Sequence, residues 1–148
     1  MKKILSIVCV LGLLASSGSL NAQVINVPNK SEKHFAAKYP DAKNVDWTNN
    51  VTSYSAKFTL NDEKYRANYH IDGNWDFTEK ELDYGKLPAE VQDSFKKSRM
   101  SDWKVLGTAL VDNSKNEKLY RVEIEKGVSK KYVFYDGTGK EVRTTLTL

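Results

Sequence analysis

The 148-residue sequence holds one cysteine, two histidines and three prolines, and the cysteine, Cys9, lies inside the first apolar run. A single cysteine excludes an internal disulfide, so the chain must hold itself together by burial. His34 and His70 stand apart, with no Cys or second His at ligand spacing, which excludes the donor set of a structural zinc site. No Gly-x-Ser-x-Gly elbow occurs, and nothing ties one serine to one histidine as nucleophile and base. Asp72-Gly-Asn-Trp-Asp76 begins like a calcium loop, but Phe77 stands where the sharp turn needs glycine and Asp83 where a bidentate Glu belongs. It reads instead as a solvated hairpin tip. The expectation is a chain that is not an enzyme and carries no metal or cofactor.

Long apolar runs are lacking too. Ile4 to Leu14 spans eleven residues, against the about 20 needed to cross a bilayer. Preceded by Met1-Lys-Lys3 and followed by the small and polar Ala15 to Ala22, it has the three regions of a secretory signal peptide. Residues 1–22 are therefore predicted to be cleaved after Ala22, with no stable membrane insertion afterwards. Ile7-Val8 before Cys9 offers no small residue, which argues against a lipid-modified cysteine. Cleavage lowers Lys plus Arg from 23 to 21 against 19 acids, a net charge of +2 with no clustered basic run. That balance does not point to nucleic acid. The predicted location is the periplasm, or the medium beyond it.

What is present is aromatic alternation. All sixteen aromatic residues lie in 23–148, which reads as one domain. Ser53 to Leu60 and Lys64 to Ile71 alternate apolar and polar, and Asp72-Gly73 leads into Asn74-Trp-Asp-Phe77. Period two places Tyr54, Ala56, Phe58 and Leu60 on one face with Tyr65, Ala67, Tyr69 and Ile71, and Lys57, Thr59, Arg66, Asn68 and His70 on the other. Val27-Pro28 and Leu87-Pro88 each precede a Phe seven residues after the proline, Phe35 and Phe95, and each segment ends in a meander containing Asp-Gly. Proline suits a first helical turn, so short helices are predicted from near Asn29 and Ala89. The fold class is α+β: two helix-plus-four-strand units, about 27–82 and 87–147, in one antiparallel sheet of about eight strands with helices on one face.

Face parity predicts the turns. If Tyr69 and Ile71 share a face with Trp75 and Phe77, paired numbers must sum to an even value, which demands a three-residue loop, Ile71 to Gly73. The same test on Tyr120, Val122 and Ile124 against Val128, Tyr132 and Phe134 predicts the loop Glu125-Lys-Gly127, and a third such loop before Val142 and Leu146. Gly73, Gly127 and Gly137 are expected at positive φ.

Val27-Pro28, Tyr39-Pro-Asp-Ala-Lys-Asn-Val-Asp-Trp47, Tyr54-Ser-Ala-Lys-Phe58, Ile71-Asp-Gly-Asn-Trp75, Leu87-Pro88 and Tyr135-Asp-Gly137 resemble the PepSY-like family of small exported bacterial proteins. That family is similar in fold to the beta-lactamase inhibitory protein. The second half departs from the pattern, with Ser98-Arg-Met-Ser101 where Tyr-Pro stood. The resemblance implies helices on the convex side of one long sheet, a free concave side, and a binding or inhibitory role in the periplasm. It brings no catalytic or ligand residues.

The predicted contact surface lies on the helix-free face. In the first half it is polar, with Arg66 and His70 as candidates. In the second half outward parity is predicted for Leu106, Leu110, Leu119, Val133 and Tyr135 alongside Arg121, Glu123, Lys131 and Arg143, and apolar area with Tyr and Arg at its edge is interface composition. Arg66, His70, Leu110, Arg121, Val133 and Tyr135 are the candidate binding residues, toward another periplasmic or secreted protein and with a peptidase as one class of target. A small-ligand or glycan binder using exposed aromatics near Trp47 or Trp75 is the alternative.

Overall fold

The computed structural model describes residues 25–115 and 117–146. The predicted signal segment 1–22 and Thr147, placed at the end of the last strand, lie outside the described residues. The chain runs α1 (Asn29–Lys38), β1 (Lys43–Asn49), β2 (Ser53–Leu60), β3 (Glu63–His70), β4 (Trp75–Leu82), α2 (Ala89–Lys97), β5 (Lys104–Asn113), β6 (Lys118–Lys126), β7 (Ser129–Tyr135) and β8 (Glu141–Leu146). All eight strands form one sheet in chain order, every neighbour antiparallel.

Both helices start directly after a proline, whose fixed φ (−56° at Pro28, −51° at Pro88) prepares the first turn. Each presents a narrow buried stripe, Ser31 and Phe35 in α1 and Val91 and Phe95 in α2. Helices this short are marginal alone in water. They persist because Phe35 packs on Phe58 at 5.0 Å between ring centroids, and Val91 and Phe95 join Val122, Ile124, Val133 and Tyr135 in a second core. Burying an apolar side chain of this size contributes about 1.5 to 3 kcal/mol, which offsets the ordering of a three-turn segment.

The first predicted turn forms as expected. His70 pairs with Asn74 across the loop 71–73, and Gly73 takes φ +84°. Beside it, Tyr69 faces Trp75 but Asn68 faces Phe77, leaving Asp76 as the extra residue of a bulge. A bulge reverses parity. Phe77 therefore lies on the face opposite Trp75, contrary to the expectation that they share one, and Ile71 is out in the turn, 55% exposed.

The second turn differs from the prediction. Lys126 pairs with Ser129, so the connection has two residues, Gly127-Val128, with Gly127 at φ +59° in the first position, the placement a type II′ turn requires. Ile124 faces Lys131 instead of the expected Val128, an odd shift of three that exchanges the faces of β7. Val133 and Tyr135 turn toward α2 and are 0% and 1% exposed, while Tyr132 and Phe134 turn to the helix-free side. The third loop has the expected three residues, but they are 137–139: Asp136 pairs with Lys140, and Gly139, not Gly137, takes positive φ at +82°. A Cβ on Gly139 would stand 2.4 Å from the Glu90 carbonyl oxygen, so this hairpin is pressed against α2. Val142 is the extra residue of a second bulge and is 49% exposed, where a core position was expected.

Candidate functional site: the helix-free face of the sheet

With the helices covering one side, the other is built from alternate residues of each strand. Arg66, Asn68 and His70 come from β3, Phe77 and Glu79 from β4, Val111 from β5, Leu119 and Arg121 from β6, Tyr132 and Phe134 from β7, and Arg143 from β8. Val111, Leu119 and Phe134 are buried there, with Phe77 and Tyr132 packed against them. An apolar cluster thus sits on the uncovered side of the second half, as expected, but of the predicted apolar members only Leu119 belongs to it.

Glu79 is the polar hub of the face. Its Oε1 accepts from Arg121 Nε at 2.6 Å and its Oε2 from Arg66 Nη2 at 2.5 Å. Arg121 donates also to Glu123 Oε2 at 3.2 Å and lies over the Tyr132 ring, 4.5 Å from its centroid. The Arg143 guanidinium lies over Phe134 at 4.1 Å. A buried carboxylate is costly unless paired and hydrogen-bonded, and two guanidiniums meet that requirement for Glu79.

Two depressions of about 540 and 370 Å3 flank this hub, and Arg66, Glu79, Arg121 and Tyr132 line both. On a flat sheet Arg66 and Tyr132, four strands apart, would be about 19 Å from each other at about 4.8 Å per strand. Their sharing of both depressions shows long side chains from strands four apart leaning toward each other over the sheet. Chemically the surface offers guanidinium donors and aromatic area. Among the described residues no three His, Cys, Asp or Glu side chains come together as a metal site, and no helix is long and apolar enough to cross a membrane.

A family model described as "Putative beta-lactamase-inhibitor-like, PepSY-like" matches residues 52–140. The chain belongs to the PepSY-like family. Solved structures agree on the fold of this PepSY-like chain. A DUF2874 family protein from Bacteroides ovatus has TM-score 0.70 at 22% identity, over 82% of this chain and 89% of that one. A BLIP-like protein from Bacteroides fragilis has TM-score 0.68 at 19% identity, over 84% and 89%. A Bacteroides eggerthii protein described as "putative periplasmic" has TM-score 0.68 at 20% identity, over 81% and 88%. At these identities the likeness speaks for the fold alone. No curated protein matches the chain.

The predicted binding residues of this PepSY-like chain divide between the two faces. Arg66, His70 and Arg121 lie on the helix-free side, His70 with Nε2 3.7 Å from Asp76. Leu110, Val133 and Tyr135 lie on the covered side: Leu110 pairs with Lys80 and Tyr120, and the other two are core beneath α2. Burial pushes the Tyr135 hydroxyl up to about 12, with Glu141 adding to the effect, and burial raises Tyr69 as well. Sequence reasoning missed Phe77, Glu79, Tyr132 and Phe134. Three of these are aromatics whose face depends on a bulge or a turn one residue shorter. For Glu79 the alternation alone carried no sign that a glutamate would be buried.

Proposed function

We propose that the chain is a non-enzymatic protein-binding module of the periplasm, exported by its first 22 residues, whose mature part 23–148 is a tandem pair of helix-and-meander units that engages a partner with the helix-free face. The observation that carries this reading is the cluster of Phe77, Tyr132 and Phe134, rimmed by Arg66 and Arg143, on the side the helices leave open. Aromatics and arginine are the residue types that dominate interface energetics. The BLIP-like description of one neighbour and the periplasmic description of another favour the same reading. A peptidase is the class of partner to test first, since inhibition and modulation need only a surface.

The test uses crosslinking capture from a periplasmic extract with wild type, Tyr132→Ser and Arg143→Ser as bait. A specific protein retained by wild type and lost from Arg143→Ser at an unchanged melting temperature supports the reading, and that protein is then assayed for peptidase activity with and without the chain. Equal retention by all three baits removes the helix-free face from consideration. The alternative, a ligand site at Trp47 or Trp75, has less in its favour. Trp47 packs on Phe35 and Tyr69, and Trp75 lies between His34 and Lys38, so both indoles are committed to the α1 core.

A further inference from the structure

On the covered side, beyond the C-terminal end of α2, a cleft of about 640 Å3 opens between residues 97–103 and the β7–β8 pair. Its walls carry three cations, Lys97, Arg99 and Lys131, and none has a carboxylate within 4.0 Å among the described residues. Trp103 is half-buried there, with Lys131 Nζ 4.9 Å from its ring centroid. The single acid of the wall, Glu141, is occupied by Thr144, whose Oγ1 donates to it at 2.7 Å. Three like charges against one held carboxylate leave the cleft electropositive.

Beneath two of the wall residues, Ser98 and Glu141, lies a buried phenol that does not itself line the cleft. The Tyr135 side chain is 1% exposed, its hydroxyl lies beside Ser98 and Glu141, and it makes no hydrogen bond of sound geometry. The other half of the sheet shows what closes the equivalent space. Tyr69 faces Trp75 in its bulged hairpin as Tyr135 faces Glu141 in the other. There Tyr69 Oη meets His34 Nδ1 at 3.1 Å and the Trp75 indole stacks on His34 at 5.8 Å. Six residues after the second proline, where His34 stands after the first, is Ser94, and Glu141 replaces the indole. Two aromatic groups are thus exchanged for a serine and a glutamate, and the tyrosine loses its partner.

We infer that this cleft is a binding site for an oxyanion, the carboxylate or phosphate group of a small ligand, held by Lys97, Arg99 and Lys131 beside the Trp103 ring. Charge-assisted donors on flexible stems suit such a group. The site lies on the opposite side of the sheet from the helix-free face and stands independently of any protein partner there.

The test is an NMR titration of the purified protein with sodium phosphate and, separately, sodium acetate, at ionic strength held constant with chloride. The Trp103 indole N–H signal is expected to shift and saturate. Saturation by phosphate alone assigns a phosphate ester, by acetate alone a carboxylate, and by both an oxyanion in general, and each supports the site. The Lys97→Gln, Arg99→Gln, Lys131→Gln triple variant, altered only at the rim, is expected to weaken binding at least tenfold. A Trp103 signal that neither anion saturates, or a triple variant that titrates like wild type, overturns the inference.

Discussion

Arg121 on β6 reaches over β5 to Glu79 on β4, its Nε 2.6 Å from Oε1, and both side chains are less than a tenth exposed. The pair ties the second meander to the first across the helix-free face, and Arg66 approaches the same carboxylate from the other flank. Glu79→Gln would leave two guanidiniums against a neutral amide. Losing one partner of a buried pair costs about 3 to 5 kcal/mol, and the partly exposed Arg66 relieves some of this, so a loss of about 3 kcal/mol is expected in urea denaturation. Replacing Glu79 and Arg121 together by methionine should recover most of it, because both desolvation penalties disappear. A Glu79→Gln loss below about 1 kcal/mol would mean that water already screens the pair.

Three glycines separate backbone strain from crowding. Gly137 has an ordinary φ and open space where a Cβ would go, so Gly137→Ala should be neutral to within about 0.5 kcal/mol. Gly127 has open space but φ +59°, and alanine there should cost about 1 to 2 kcal/mol from the left-handed backbone alone. Gly139 combines φ +82° with backbone 2.4 Å from the added carbon. Gly139→Ala should therefore exceed both and lower the melting temperature most, as the β7–β8 hairpin is forced away from α2. Thermal denaturation of the three variants gives the order, and an inverted order of Gly127 and Gly139 would show that the hairpin yields freely.

The aromatic alternation of β2 and β3 was fully legible, because Tyr54 to Leu60 and Tyr65 to Tyr69 pair without interruption and bury their apolar sides as period two requires. The helices were legible from Pro28 and Pro88 with Phe35 and Phe95 behind them. What was not legible was parity after an irregularity. The Asp76 bulge turned Phe77 over, and a turn of two residues at Gly127 exchanged Val133 and Tyr135 with Tyr132 and Phe134. In β7 both faces are apolar, so residues 132–135 carry no pattern that fixes their register, and only the turn decides. The Asp-Gly pair misled in a related way. Asp72 lies inside its loop, whereas Asp136 precedes its own and accepts the Thr138 and Lys140 amides. Aligning the two pairs placed the positive φ two residues early, at Gly137.

His34 makes stability depend on pH. Burial, and then the neighbouring Lys38, lower its pKa from the ordinary 6.5. Between the folded value and 6.5 the unfolded chain holds more protons than the folded one, so stability rises with pH through that window. The contribution is present above 6.5 and is lost as pH falls toward the folded value. His34→Gln keeps a polar group beside Tyr69 but removes the titration. The melting temperature of wild type should fall more between pH 7.5 and pH 5 than that of the variant, and parallel curves would mean that the imidazole protonates freely in the folded state.

Val133 and Arg143 lie on opposite faces of the β7–β8 pair, and replacing each by serine should give opposite results. Val133 is fully buried against Val122 and Ile124 under α2, so serine there leaves a cavity and an unpartnered hydroxyl. A loss of about 2 to 4 kcal/mol is expected, with the helix-free face unaltered in any variant that still folds. Arg143 is exposed and covers Phe134 by cation–π contact, an interaction of about 0.5 to 1 kcal/mol at such a site. Arg143→Ser should thus change stability by no more than about 1 kcal/mol while removing a guanidinium from the rim of the helix-free face. Denaturant midpoints, read beside capture of a partner, distinguish the two faces. Equal losses of stability would show that β7 contributes the same burial on both sides, and that its outer residues belong to the core.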